Sequence, residues 1–173
     1  MNLRSVNRYF VTLVLSICAV WPSKSWADAT YLDSVESPVF ETNGNHQDLT
    51  KRAMTCIAQI VKPGFTTAPT IITSDPEAGT VVANNAFTYY YGPLLPVEYR
   101  ARSTLTFQAK DGRFRIVHTS IEKFNDTAGL GIGWERIGTW RFSGGDEAKL
   151  AIDAISQSIA TCVISVPQIN DNW

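Results

Sequence analysis

The chain has 173 residues and carries 15 Lys and Arg against 16 Asp and Glu, a formal net charge of −1. That length suits one domain, and the balance of charge excludes a protein that binds nucleic acid through bulk positive charge. The sequence holds two histidines, three cysteines and neither a Cys-x-x-Cys nor a His-Glu-x-x-His motif. It therefore predicts no metal and no cofactor.

The N-terminal segment has the features of an export signal. Arg4 and Arg8 form a basic start, and residues 9–20 are an apolar run too short to span a bilayer comfortably. Ser25 and Ala27 are small residues at the two positions that a signal peptidase reads. We therefore predict cleavage near Ala27 and a periplasmic or secreted product. Cleavage two residues later and an uncleaved membrane anchor are the alternatives.

Removal of residues 1–27 would take away three basic residues and no acidic one. The 15 Lys and Arg would fall to 12 against an unchanged 16 Asp and Glu, so the mature product would be mildly acidic. We interpret residues 28–166 as a single domain and residues 167–173 as a C-terminal tail.

A short strand is predicted at residues 38–42, followed by a turn and the first helix. Asn45 is a suitable N-cap, and the helix is expected to run to about Lys62, where a Pro-Gly pair stops it. Its apolar residues recur at helical spacing, and Arg52 falls outside that stripe. The stripe consists of Leu49, Ala53, Cys56, Ile57 and Ile60.

Residues 70–124 are predicted to form an antiparallel meander of four strands. The Asp-Pro-Glu-Ala-Gly segment at 75–79 is typical of a short hairpin loop, because Pro presets φ and Gly accepts positive φ. Asp111-Gly112 between two alternating runs is the strongest short-range hairpin signal. A two-residue turn also sets the register of the strands that it joins. The expected pairs are Lys110–Arg113, Ala109–Phe114, Phe107–Ile116 and Leu105–His118.

Alternation along these strands separates an inner, core-facing side from a wet outer side. The inner side must be covered by helices, and the outer side is left open. The inner positions are Val81, Ala83, Phe87, Tyr89, Tyr91, Val97, Tyr99, Ala101, Ser103, Leu105, Phe107 and Ala109.

Residues 125–145 are rich in glycine and carry Trp134 and Trp140. A second helix is predicted from about Ser143 to Val166. The order strand–helix–four strands–helix predicts an α+β fold, a two-layer sandwich with both helices on one face of an antiparallel sheet. The apolar stripe of the second helix is Ala148, Ala151, Ile155, Ile159, Cys162 and Val163.

Cysteine usage agrees with export. Cys18 would leave with the signal, so Cys56 and Cys162 remain, each on the predicted core face of a helix. In an oxidising compartment this predicts one disulfide, with two buried free thiols as the alternative.

Three stretches resemble a bacterial family of unknown function described as having a TATA-box-binding-protein-like (TBP-like) fold. They are the helix at 49–53, the turn at 75–80 and the run at 105–115, within a matched region of about 49–124. The resemblance implies the same strand–helix–four-strand–helix order. It transfers no catalytic residue, because the family has no established activity, and DNA binding does not follow from a name that describes topology.

His118, opposite Leu105 on the inner side, is a candidate general base. In the predicted register Ser103 and Ser120 should lie near it, which hints at a polar pocket. Because no Ser or Cys nucleophile motif accompanies it, we favour a core histidine.

The open sheet face is the main candidate binding surface, since Tyr and Arg are favoured at interaction hot spots. A plain solvated face is the alternative. Trp134 and Trp140 are the second candidates, unless they fold back over the sheet. The candidates on the open face are Tyr90, Arg100, Arg102, Thr104, Thr106, Gln108, Arg115 and Thr119.

These observations favour an exported, non-enzymatic binding or accessory domain of the bacterial cell envelope. Its expected partner is a protein, a peptide or a glycan, with no nucleic acid and no stable membrane insertion after cleavage. A periplasmic inhibitor or immunity-type protein that acts through its loops is the alternative. A small hydrolase that uses His118 is a third hypothesis, and closure of the open face by a homodimer is left open.

Overall fold

A computed structural model describes residues 30–63, 68–92, 94–126 and 133–165. The predicted cleavage site and the tail at 167–173 lie outside these residues. The described chain forms seven strands and two helices. They are β1 (Ser34–Glu36), β2 (Phe40–Glu41), α1 (His46–Ile60), β3 (Ile71–Asp75), β4 (Thr80–Tyr91), β5 (Val97–Lys110), β6 (Arg113–Asn125), β7 (Gly133–Arg136) and α2 (Gly145–Ser165).

One antiparallel sheet has the strand order β1-β6-β5-β4-β3, and β2 and β7 also pair with β6. The predicted meander is thus confirmed as β3 to β6. The predicted N-terminal strand is only two residues long, and sequence analysis missed β1 and β7. These segments are too short to show an alternating pattern, and they form because β6 offers them a long free edge.

The hairpin between β5 and β6 has the predicted register. Leu105 pairs with His118 and Lys110 with Arg113, as a two-residue turn at Asp111-Gly112 requires. Gly112 has a positive φ of 74°, which glycine adopts without strain.

A β-bulge interrupts this register halfway along β6. Thr104 pairs with Thr119, but Arg102 pairs with Glu122, so β6 holds one extra residue between the two pairs. Ser120 lies in the bulge with a positive φ of 51° and is exposed. The expectation that Ser120 lies beside His118 was therefore wrong, because the bulge turns its side chain away from the core.

Both helices cover the inner side of the sheet, which confirms the two-layer α+β sandwich. One core cluster lies between α1, the C-terminal half of α2 and the hairpin end of the sheet, and it includes Leu49, Ile57, Phe107, Phe114 and Ile159. A second cluster lies under the N-terminal half of α2 and includes Val35, Phe87, Tyr89, Ile121 and Ile152.

A disulfide joins α1 to α2 between Cys56 and Cys162, as predicted. Although α2 is long and apolar enough to cross a membrane by length and composition alone, it packs here on α1 and β4.

The buried face of α2 is rotated relative to the predicted stripe. Ile152, Ser156 and Ala160 are buried, whereas Ala151 and Ile155 are only partly buried. An apolar pattern could not include Ser156, whose hydroxyl meets a buried polar group of the sheet. The helix is therefore rotated so that Ser156, together with Ile152 and Ala160, faces the core.

Val97, Arg52 and the end of α1 also differ from prediction. Val97, the first residue of β5, is 54% exposed although it was predicted to face the core. Arg52 is 7% exposed although it falls outside the apolar stripe, and its Nη1 donates to the Asn43 carbonyl oxygen at 3.3 Å. α1 ends at Ile60 rather than near Lys62, which instead forms a β-bridge with β4.

Candidate functional site

In the described part of the chain, neither helix covers the outer side of the sheet, and all of the predicted binding residues except Trp140 lie there. Their positions follow from strand register, with Tyr90 on β4, Arg100 and Arg102 on β5, and Trp134 on β7. Gln108 and Arg115 lie at the opposite end of the same face. Trp140 lines a different surface.

The structure brings three of these side chains together with Glu122 and Phe124. We call this set, made of Arg100, Arg102, Glu122, Phe124 and Trp134, the arginine–aromatic cluster. The Arg102 guanidinium carbon lies 4.2 Å from the Trp134 ring centroid, and its Nε and Nη2 donate to Glu122 at 2.8 and 2.6 Å. The Arg100 guanidinium carbon lies 4.7 Å from the Phe124 ring centroid. The Phe124 and Trp134 rings meet edge to face at 5.3 Å.

The bulge in β6 is what assembles this cluster. Without its extra residue, alternation from His118 would place Glu122 and Phe124 on the inner side of the sheet. After the bulge both point outward, where β7 pairs Trp134 with Phe124. Sequence analysis identified Arg100, Arg102 and Trp134 but missed Glu122 and Phe124, because no glycine marks the bulge.

The remaining outer-face candidates make separate contacts. Tyr90 donates its hydroxyl to Glu98 at 2.6 Å, and this hydrogen bond raises the pKa of the Tyr90 hydroxyl. Arg115 donates to Gln108 at 2.8 Å and to Glu36 at 3.3 Å. The six-residue separation between Arg102 and Gln108 along β5 corresponds to about 20 Å, so the outer face has two distinct polar centres.

Trp140 lines a cleft on the helix side of the sheet, beyond the N-terminal end of α2. We call it the aromatic cleft, and its volume is about 540 Å³. Tyr91 of β4 and Tyr99 of β5 point to the same side of the sheet as the core residues. Lys123 of β6 forms an ion pair with Glu135 of β7. The lining residues include Tyr31, Tyr91, Tyr99, Lys123, Glu135, Arg136 and Trp140. Trp134 and Trp140, grouped in sequence analysis, thus belong to different surfaces.

His118 is fully buried within a polar network between the two core clusters. Its Nδ1 lies 3.0 Å from Ser103 Oγ, its Nε2 lies 3.2 Å from Ser156 Oγ, and Asn85 donates to Ser103 at 3.1 Å. Burial lowers the pKa of the His118 ring to about 4, against a smaller opposing effect of Asp153. A neutral ring offers one N–H and one lone pair, so it can serve both serines.

This network contains a Ser–His contact, but both side chains are buried, with Ser103 exposed by only 5%. A nucleophile must meet its substrate, so the arrangement favours a core histidine over a hydrolytic site. Among the described residues, no group of three or more His, Cys, Asp and Glu side chains could hold a metal ion.

Comparison with solved structures identifies two bacterial proteins of similar fold. A TBP-like protein from Parabacteroides distasonis ATCC 8503 superimposes with a TM-score of 0.59 at 7% identity, over 78% of this chain and 94% of that chain. A DUF4468 family protein from Bacteroides ovatus ATCC 8483 gives a TM-score of 0.52 at 13% identity, over 79% of this chain and 88% of that chain. No family model and no curated protein matches the chain. At these identities the similarity shows the fold alone, and it confirms the TBP-like fold.

Proposed function

We propose that the chain is an exported, non-enzymatic binding domain of the bacterial cell envelope that holds a protein partner on its outer sheet face. The arginine–aromatic cluster is the observation that carries this proposal. Arg, Trp and Tyr are the side chains that dominate protein interfaces, and a flat sheet face presents them together.

The cluster favours binding because its long side chains are already ordered. Arg102 is held by both Glu122 and the Trp134 ring, and Arg100 lies over Phe124. Side chains that are fixed before association lose less conformational entropy when a partner binds. Such a surface supports binding better than one of freely rotating arginines.

Charge makes a protein a better partner than nucleic acid. Arg102 and Arg115 are each paired with a carboxylate of the same face, so little unbalanced positive charge is available for phosphates. The excess of acidic over basic residues in 28–173 also disfavours binding of nucleic acid. A protein can contact the guanidinium faces, the rings and the neighbouring carboxylates together.

Export and the absence of catalysis are parts of this proposal. Export is supported by the basic and apolar features of residues 1–27. A non-enzymatic role is supported by the full burial of His118 with its serine partners.

Site-specific photocrosslinking in cells that make the protein tests the proposal. A photoreactive residue at Thr104, at the centre of the outer face, should capture one dominant envelope protein that mass spectrometry can identify. The same residue at Gln157, exposed on α2, is the matched control and should not capture it. Replacing Arg102 and Trp134 together with alanine should abolish the Thr104 product.

Three results would contradict the proposal. Thr104 and Gln157 could capture the same proteins, Thr104 could capture none, or the alanine pair could leave capture unchanged. If only a second copy of the chain were captured, we would conclude that the outer face forms a homodimer instead of binding another protein.

A further inference from the structure

Trp140 and Phe142 are exposed aromatic side chains on the loop between β7 and α2, with 53% and 63% of their surface accessible. The loop is fixed by hydrogen bonds of Ser143, whose Oγ lies 2.6 Å from both the Gly138 and the Trp140 carbonyl oxygens. Phe142 has a positive φ of 67°, an unfavourable conformation for a residue with a Cβ. The fold thus maintains a strained loop that presents aromatic rings to solvent.

The Trp140 ring has a prepared position. It lies directly against the backbone of Gly138, where a Cβ atom would overlap the six-membered ring. The Tyr31 ring meets it edge to face at 6.0 Å. Packing on these two residues fixes the orientation of Trp140, while about half of its surface stays available at the mouth of the aromatic cleft.

The opposite wall of the aromatic cleft combines aromatic and charged groups. Tyr91 and Tyr99 lie with their ring centroids 6.4 Å apart, and Lys123 Nζ lies 5.4 Å from the Tyr99 ring centroid. The same ammonium group lies 3.3 Å from the Glu135 carboxylate. A hydrogen-bond donor and an acceptor therefore stand side by side next to flat apolar surfaces.

We propose that the aromatic cleft binds a neutral sugar ring of an envelope glycan. A pyranose presents an apolar face of C–H groups, which can stack on Trp140, and neighbouring hydroxyls at its edge. One hydroxyl can donate to Glu135 while the next accepts from Lys123. A cleft of about 540 Å³ lies within the usual range for small ligands and can hold a mono- or disaccharide.

Other ligand classes fit this cleft less well. An anion would meet two cations that are already neutralised, Lys123 by Glu135 and Arg136 by Asp33. Desolvation, and then the Glu147 carboxylate, raise the pKa of Tyr91, so the neighbourhood already disfavours negative charge. A purely apolar ligand would desolvate Lys123 and Glu135 without hydrogen-bonding them. The site lies on the opposite side of the sheet from the arginine–aromatic cluster, so it goes beyond the proposed protein-binding role.

Titration calorimetry of the purified protein with a panel of neutral, acidic and basic oligosaccharides tests the proposal. We expect a neutral oligosaccharide to bind. Replacing Trp140 with alanine should weaken that binding about tenfold or more. Gly138→Ala should weaken it as well, because the added Cβ displaces the ring without removing it, and Trp140→Phe should retain part of the affinity.

Leu150→Ala is the control, since Leu150 is an exposed apolar side chain of α2 that does not line the cleft, and it should leave sugar affinity unchanged. Circular dichroism and thermal unfolding establish that each variant is folded. The proposal is overturned if no sugar of the panel binds, if acidic sugars bind best, or if Leu150→Ala weakens binding as much as Trp140→Ala. None of these results bears on capture by the outer face, which Thr104 crosslinking measures separately.

Discussion

The Ser156 hydroxyl oxygen of α2 lies 3.2 Å from Nε2 of His118 in β6. It is a polar contact between the two layers of the fold, and it belongs to a buried network that also includes Ser103 and Asn85. With the Ser103 hydroxyl on the other ring nitrogen, both nitrogens of His118 have partners. The contact fixes how α2 is rotated on the sheet, because only one side of α2 presents this serine.

Acidification below pH 6.5 should destabilise the protein through His118. Burial lowers the pKa of its ring from 6.5 to about 4 in the folded state, so between these values the unfolded chain binds a proton that the folded chain does not. Stability is therefore complete above pH 6.5 and falls as the pH drops toward 4. The loss from this group is about 3 kcal/mol, measured as the free energy of urea unfolding at a series of pH values.

His118→Gln is the informative control for this pH dependence. Glutamine keeps a donor and an acceptor but does not titrate, so the variant should lose stability at pH 7 while its stability changes much less between pH 6.5 and 4. A variant with the same slope as the wild type over that interval would show that other groups cause the acid sensitivity.

Reduction of the Cys56–Cys162 disulfide should also destabilise the protein. The bond links residues 106 positions apart, and the chain-entropy model gives a loss of about 4–5 kcal/mol when so long a loop is opened. Urea unfolding with and without reductant measures this difference. A double Cys→Ala variant should resemble the reduced protein and should not respond to reductant, and any response there would implicate a different effect of the reagent.

Stacking of Arg102 on Trp134 should be measurable as a coupling energy. A double-mutant cycle with alanine at both positions should give about 0.5–1 kcal/mol, the range of partly exposed cation–π pairs. A cycle between Trp134 and Arg115, which lies at the other end of the face, should be additive. Equal coupling in the two cycles would argue against a specific stacked pair.

The parts of the fold that could be predicted were those that a few local residues determine. Asp111-Gly112 sets the pairing of Leu105 with His118 without help from the rest of the chain. The disulfide could be predicted because the expected loss of Cys18 with the signal left Cys56 and Cys162, and helical spacing placed both on core faces.

What could not be predicted depended on tertiary contacts. The bulge at Ser120 has no glycine to mark it, yet it decides that Glu122 and Phe124 face the outer surface. The burial of Ser156 depends on a histidine 38 residues away in sequence. The division of Trp134 and Trp140 between two surfaces follows from β7, whose four residues pair only because β6 supplies an edge.

Gly79 and Gly112 lie in two hairpin turns of the meander, and alanine should be tolerated differently at the two positions. Both have a positive φ, 69° and 74°, so alanine at either position should lose about 1–2 kcal/mol from the left-handed conformation alone. At Gly79 an added Cβ would also overlap the Ala109 carbonyl oxygen, whereas at Gly112 the nearest atom is 3.8 Å away. Gly79→Ala should therefore lower the free energy of unfolding clearly more than Gly112→Ala.

The difference in free energy of unfolding between the two variants measures the effect of the close contact between the β3–β4 turn and β5. Ala109 N–H donates to the Gly79 carbonyl oxygen at 2.7 Å, so a displaced turn also lengthens this hydrogen bond. Amide hydrogen exchange at Ala109 should accelerate clearly more in Gly79→Ala than in Gly112→Ala. Equal destabilisation by both substitutions would mean that the turn moves away from β5 at negligible cost.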